Sequence, residues 1–99
     1  MTRASVQLGS WFYMAPEQQQ SPHEAVPASD IYSLGVSWYE LLTKSLPSPA
    51  QLAAKKYPPA SDVSAVNELI SAMTSFDPSD RPDLERIEAE ATRLTSLSV

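Results

Sequence analysis

Ninety-nine residues with 42% hydrophobic content fit one small domain with a core. The net charge is −5, from twelve acidic and seven scattered basic residues, and no basic stripe points to nucleic acid. Cysteine is absent, which excludes disulfides, thiolate catalysis and cysteine-type zinc sites. No apolar run approaches the ~20 residues of a membrane span and the N-terminus has no signal-peptide core, so a soluble, cytoplasmic chain is the expectation.

Residues 1–8 are polar without clear periodicity and read as a flexible entry, followed by an extended stretch from Gly9 to Tyr13. Pro16 suits the first turn of a short helix, where its missing N–H costs nothing. The stretch 21–28, with Pro22 and Pro27, reads as a loop, and its His23 has no partner at metal spacing. Ser29 is the expected N-cap of a helix over 30–43, roughly 20 Å long. Ile31, Leu34, Val36, Trp38, Tyr39, Leu41 and Leu42 wrap around the axis of that helix. A helix apolar all round belongs inside a larger body.

Leu46-Pro47-Ser48-Pro49 interrupts the chain, and Ser48 with Pro49 opens a short helix to about Lys56. Ser64 is expected to cap a helix whose Val66, Leu69, Ile70 and Met73 share a face. Beyond a turn over 77–82, Leu84, Ile87, Ala91 and Leu94 form the stripe of a last helix. Arg86 and Glu90 would pair on its outer face at i,i+4, worth only ~0.3 kcal/mol. Nothing alternates at period two for long enough to make a strand, so the expected fold is all-α.

Three blocks carry a family resemblance, in order along nearly the whole chain. Tyr13-Met14-Ala15-Pro16-Glu17 resembles the Ala-Pro-Glu end of a protein kinase activation segment. Ser29-Asp30-Ile31-Tyr32-Ser33-Leu34-Gly35-Val36 looks like the central buried helix of the kinase C-lobe. Asp77-Pro78-Ser79-Asp80-Arg81-Pro82 looks like the turn between its last two helices. The resemblance implies a partial kinase C-lobe, the helical subdomain without an N-lobe. Residues 1–8 would be an activation-loop remnant, 9–20 a substrate-floor loop and short helix, 29–43 the central helix and 49–97 the helical subdomain.

Several residue roles follow from the resemblance. Glu17 and Arg81 would form a buried ion pair joining the activation segment to the helical subdomain, the bland alternative being two surface charges. Arginine suits such a pair because its planar fork meets a carboxylate bidentately. Asp30 matches an aspartate that anchors catalytic-loop amides. It would either await a partner supplied in trans or serve as a first-turn acid favoured by the helix dipole. Gly9, Ser10 and Tyr13 would floor the substrate site, and a hydroxyl at Ser10 favours the Ser/Thr class. Trp11 and Phe12 would narrow peptide choice. Thr2 and Ser5 lie where activation loops are phosphorylated, or are ordinary residues of a polar tail.

Phosphoryl transfer by a kinase requires a Gly-rich loop, a strand lysine, a catalytic-loop aspartate and a magnesium-binding aspartate. The two glycines, Gly9 and Gly35, lie far apart, and His23 is followed by Glu24 and Ala25, so neither the Gly-rich nor the His-Arg-Asp loop is present. Phe76-Asp77-Pro78 is no substitute for Asp-Phe-Gly. These residues alone are therefore expected not to catalyse and to carry no metal or cofactor, with ATP and magnesium belonging to a complete parent kinase. A protein partner or the remainder of a kinase domain would cover the helix over 30–43. About 500 Å² of bare apolar surface there would forfeit ~12 kcal/mol, so non-specific self-association is the other expectation. A pseudokinase-like binding module and a gene remnant stand as alternative readings.

Overall fold

The computed structural model describes residues 12–20 and 26–97. In chain order these form α1 (Pro16–Gln20), α2 (Pro27–Thr43), α3 (Pro49–Ala54), α4 (Ser64–Met73), a 3₁₀ turn (Pro78–Asp80) and α5 (Leu84–Leu97). The described residues contain no strand, and the fold is all-α. None of their helices is long and apolar enough to cross a membrane.

The long helix α2 organises the rest. One side of it buries Tyr32 and Val36 against Ala15 and Leu52, with Tyr13, Leu46 and Tyr57 closing the edge. Another buries Ile31 against Met73 of α4 and Ile87 of α5, flanked by Leu34, Trp38 and Leu69. Gly35 lets α2 and α4 cross closely: a Cβ there would lie 2.9 Å from both Met73 Cβ and Thr74 Cγ2. Thr74 is itself buried, and its hydroxyl donates back to the Ile70 carbonyl at 2.8 Å.

Helix ends depart from the sequence reading in instructive ways. α2 begins at Pro27, after Val26 in extended conformation, and not behind an Ser29 cap. Proline at the first helical position is pre-shaped for the helix, and the Ser29 hydroxyl is engaged elsewhere. α4 likewise starts at Ser64 itself, with Val63 as the capping position and no side-chain cap. α3 stops at Ala54, two residues before the expected end at about Lys56, because Lys55 turns left-handed with φ 57°. Phe12 and Tyr13 are helical instead of extended.

Ser48 does cap α3, in a capping box: its Oγ accepts from Gln51 N at 3.2 Å and its N–H donates to Gln51 Oε1 at 2.9 Å. Connections are tied by side chains. Tyr39 donates to the Pro58 carbonyl at 2.7 Å and meets Tyr57 edge-on, with ring centres 5.3 Å apart. Asn67 accepts from the N–H groups of Ala60 and Ser61, both at 3.0 Å, and donates to the Ser61 carbonyl. On α5, Glu90 pairs with Arg93 at 2.9 Å and not with Arg86. The apolar wrap of α2 is only partly covered: Leu41 is 68% and Leu42 51% exposed.

Candidate functional site

Asp77 accepts from the N–H of Ser79 at 2.9 Å and from its hydroxyl at 2.8 Å, and these bonds hold its carboxyl below the usual range. They fix the 3₁₀ turn, at whose end Arg81 points inward with its side chain fully buried. Its guanidinium meets Glu17 as two parallel bonds, Nη1 to Oε2 at 2.7 Å and Nη2 to Oε1 at 2.9 Å. The remaining donors reach three backbone carbonyls: Ala28 at 2.8 Å, Ser75 at 2.9 Å and Phe76 at 3.2 Å. An arginine has five N–H groups, and here each has an acceptor.

The other faces of the pair are also occupied. Ser29 donates its hydroxyl to Glu17 Oε2 at 2.8 Å. The Arg81 guanidinium lies 5.0 Å from the centre of the Tyr32 ring, within cation–π range. The bonds from Arg81 hold the Glu17 carboxyl down at about 2 against the opposing effect of burial. Burial pushes the Tyr32 hydroxyl up to about 12, with the arginine's charge opposing. A guanidinium with every donor engaged has none to offer a phosphate or substrate carboxylate. Chemically this is a bracket that joins α1, the start of α2 and the 75–81 turn.

Tyr13 lies on the neighbouring side of α2. Its hydroxyl donates to the Glu40 carboxylate, and that bond, with burial, raises the phenol above its ordinary value. Its carbonyl accepts from the Ser33 hydroxyl at 2.6 Å. Asp30 is exposed in the first turn of α2 and borders an apolar groove with Pro27, Ile31, Leu34, Leu84 and Arg81. Thr2, Ser5, Gly9, Ser10, Trp11 and His23 lie outside the described residues. The structure thus brings Glu17 and Arg81 together as an ion pair, and Asp30 lines the same groove as Arg81. Among the described residues no three His, Cys, Asp or Glu side chains are grouped to hold a metal.

Seven contributors escaped the sequence reading: Ser29, Tyr32, Ser33, Glu40 and the carbonyls of Ala28, Ser75 and Phe76. For Ser29 the hint is the proline two positions earlier, which frees the serine from capping. The others either touch partners far away in sequence or are backbone oxygens, which carry no residue identity.

No family model matches the chain. Similarity to curated proteins is nonetheless clear. The chain is 36% identical over 89 residues, 89% of its length, to the tyrosine-protein kinase MasK of Myxococcus xanthus. It is 36% identical over 94 aligned residues, covering 82% of its length, to the serine/threonine-protein kinase PknL of Mycobacterium tuberculosis. Over a shorter stretch of 47 residues, 48% of its length, it is 47% identical to the serine/threonine-protein kinases drp72 of Corynebacterium efficiens. The matched stretches span only 12%, 23% and 9% of those relatives. With helices throughout and these kinases as its relatives, the chain is a partial kinase-like segment, resembling the protein kinase C-lobe from the Ala15-Pro16-Glu17 end of the activation segment to the last helix.

Proposed function

We infer that these residues serve as the peptide-docking floor and helical scaffold of a Ser/Thr protein kinase, and do not transfer phosphate themselves. The observation that carries this reading is the bracket: Arg81 ties the Ala15-Pro16-Glu17 segment to the helical subdomain with all five donors satisfied. Such an arrangement holds a loop in place and performs no acid–base or nucleophilic step. The Ser10 hydroxyl and the serine/threonine designation of PknL support the Ser/Thr class. ATP and magnesium would be bound by a complete parent, which would pass the γ-phosphate to a protein hydroxyl.

The exposed Leu41 and Leu42 on α2 favour a second reading, a non-catalytic module that binds protein. One experiment separates the two. An antibody to residues 77–94 is used to blot a native lysate, and the captured protein is assayed for phosphorylation of a Ser/Thr peptide with Mg-ATP. A band clearly larger than 10.8 kDa with kinase activity fits the scaffold reading. A band at 10.8 kDa without activity would sink it and leave the binding module.

A further inference from the structure

Where α1 meets the 3₁₀ turn, Pro16, Glu17, Phe76, Asp77 and Pro78 line a cavity of about 190 Å³. Its lining is chemically of one kind. Proline has no N–H, the phenylalanine ring has no polar atom, and ionised carboxylates only accept. No side chain of the lining can therefore donate a hydrogen bond. The bonds from Arg81 hold the Glu17 carboxyl down and those from Ser79 hold Asp77 down, so both are charged at neutral pH. The Arg81 guanidinium beside them has every donor engaged.

Acceptor capacity is left over at this place. Both bonds from Ser79 fall on Asp77 Oδ1, and Oδ2 has no partner among the described residues. The Glu17 side chain keeps 25% of its surface exposed. Phe76 is 62% exposed although its carbonyl is tied to Arg81 at 3.2 Å. An aromatic face next to unspent carboxylate oxygens offers a cation both the ring quadrupole and charge-assisted bonds.

We propose that this cavity docks a basic side chain, lysine or arginine, of a peptide segment on a partner protein. The apolar stem lies against Pro16 and Pro78, and the charged head reaches Asp77 and the Phe76 ring. Glu17 offsets the charge of Arg81, so Asp77 sets the sign at the mouth. An anion is excluded, because it would meet two carboxylates and no side-chain donor. The volume suffices for the stem, since an apolar cavity of ~150 Å³ already accepts benzene. A cationic segment also suits a chain whose net charge is −5. None of the lining residues is Gly9, Ser10 or Tyr13, so the cavity is a contact point separate from the substrate floor.

The test is a titration of the ¹⁵N-labelled protein with N-acetyl-lysine methylamide, followed by amide chemical shifts. Salt at ~0.1 M screens charges more than ~10 Å apart and so damps unspecific attraction to an acidic chain. The expected result is saturable shifts confined to the amides of Glu17 and of residues 76–79. N-acetyl-norleucine methylamide, which keeps the apolar stem and lacks the charge, should produce none of them. Phe76→Leu, at an exposed position, should weaken lysine binding about two- to fivefold. Asp77→Asn keeps an acceptor for the Ser79 N–H and should weaken it as well. Asp62→Asn removes the same charge outside the cavity and should leave the affinity unchanged. Shifts spread over the surface carboxylates, an equal response to norleucine, Phe76→Leu without effect, or Asp62→Asn as damaging as Asp77→Asn would each overturn the proposal. Should Asp77→Asn fail to fold, Phe76→Leu and the norleucine comparison decide. No kinase activity is read, so the cation site can fail while the scaffold reading stands, and the reverse.

Discussion

Replacing Arg81 by alanine removes five hydrogen bonds and a cation–π contact in one step. Glu17, only 25% exposed at its side chain, is left charged without its partner, and the carbonyls of Ala28, Ser75 and Phe76 lose a donor. Breaking one partner out of a buried ion pair costs about 3–5 kcal/mol. That is a large part of the ~5–15 kcal/mol holding a typical domain together. Arg93→Ala is the matched control, since its pair with Glu90 is exposed and is worth ~0.5 kcal/mol or less. At ~4–8 °C per kcal/mol for a domain of this size, Arg81→Ala should lower the melting temperature by more than ~12 °C and Arg93→Ala by less than ~4 °C. Urea and thermal melts followed by far-UV circular dichroism, at equal and low protein concentration, read both. If the two variants melt together, the bracket contributes nothing to stability and the reasoning fails.

Two further outcomes can be checked on the same material. Because the Glu17 carboxyl is held at about 2 against an ordinary 4.5, its stabilising effect is complete above pH 4.5 and is lost as pH falls toward 2. Stability of the Glu17→Gln variant should therefore fall less steeply over that window than the wild type, and parallel slopes would contradict the assignment. Gly35→Ala sets two effects against each other. Alanine gains up to ~1 kcal/mol of helix propensity, but its Cβ would sit 2.9 Å from Met73 Cβ and Thr74 Cγ2. Those atoms cannot swing aside, and overpacking costs ~1–3 kcal/mol, so a net loss in urea midpoint is expected; a gain would mean the crossing is looser than described.

What the sequence disclosed and what it hid divide along a physical line. The existence of α2 was legible because seven large apolar side chains between 31 and 42 wrap around a helix axis, although the full burial this implies is not reached, with Leu41 and Leu42 exposed. Its first residue was not, since Ser29 looks like a cap to any local reading, whereas its hydroxyl is drawn to Glu17, twelve residues upstream. The outer face of α5 shows the same limit at short range. Glu90 had basic residues on either side, and the shorter i,i+3 reach to Arg93 is the one taken. Of the bracket, motif resemblance could name Glu17 and Arg81. No pattern announces that the guanidinium also gathers the carbonyls of Ala28, Ser75 and Phe76, because a backbone oxygen carries no residue identity. The bond from Tyr13 to Glu40 is hidden for the same reason of distance, with 27 positions between them.

The bracket also sets an order of events while the chain is being made. Glu17 and Arg81 are 64 positions apart, and a ribosome adding ~5–20 residues per second needs roughly 3–13 s to cover that interval. Throughout it α1 has emerged without the cation that will seat it, and the turn that presents that cation does not yet exist. Local helices can form and fade on far shorter timescales, so α2 has time to sample its neighbours long before its entry strap is locked. The Ala15-Pro16-Glu17 segment can therefore pack its Ala15 against α2 and Leu52 before Arg81 is made, but its ion pair must wait for the 75–81 turn.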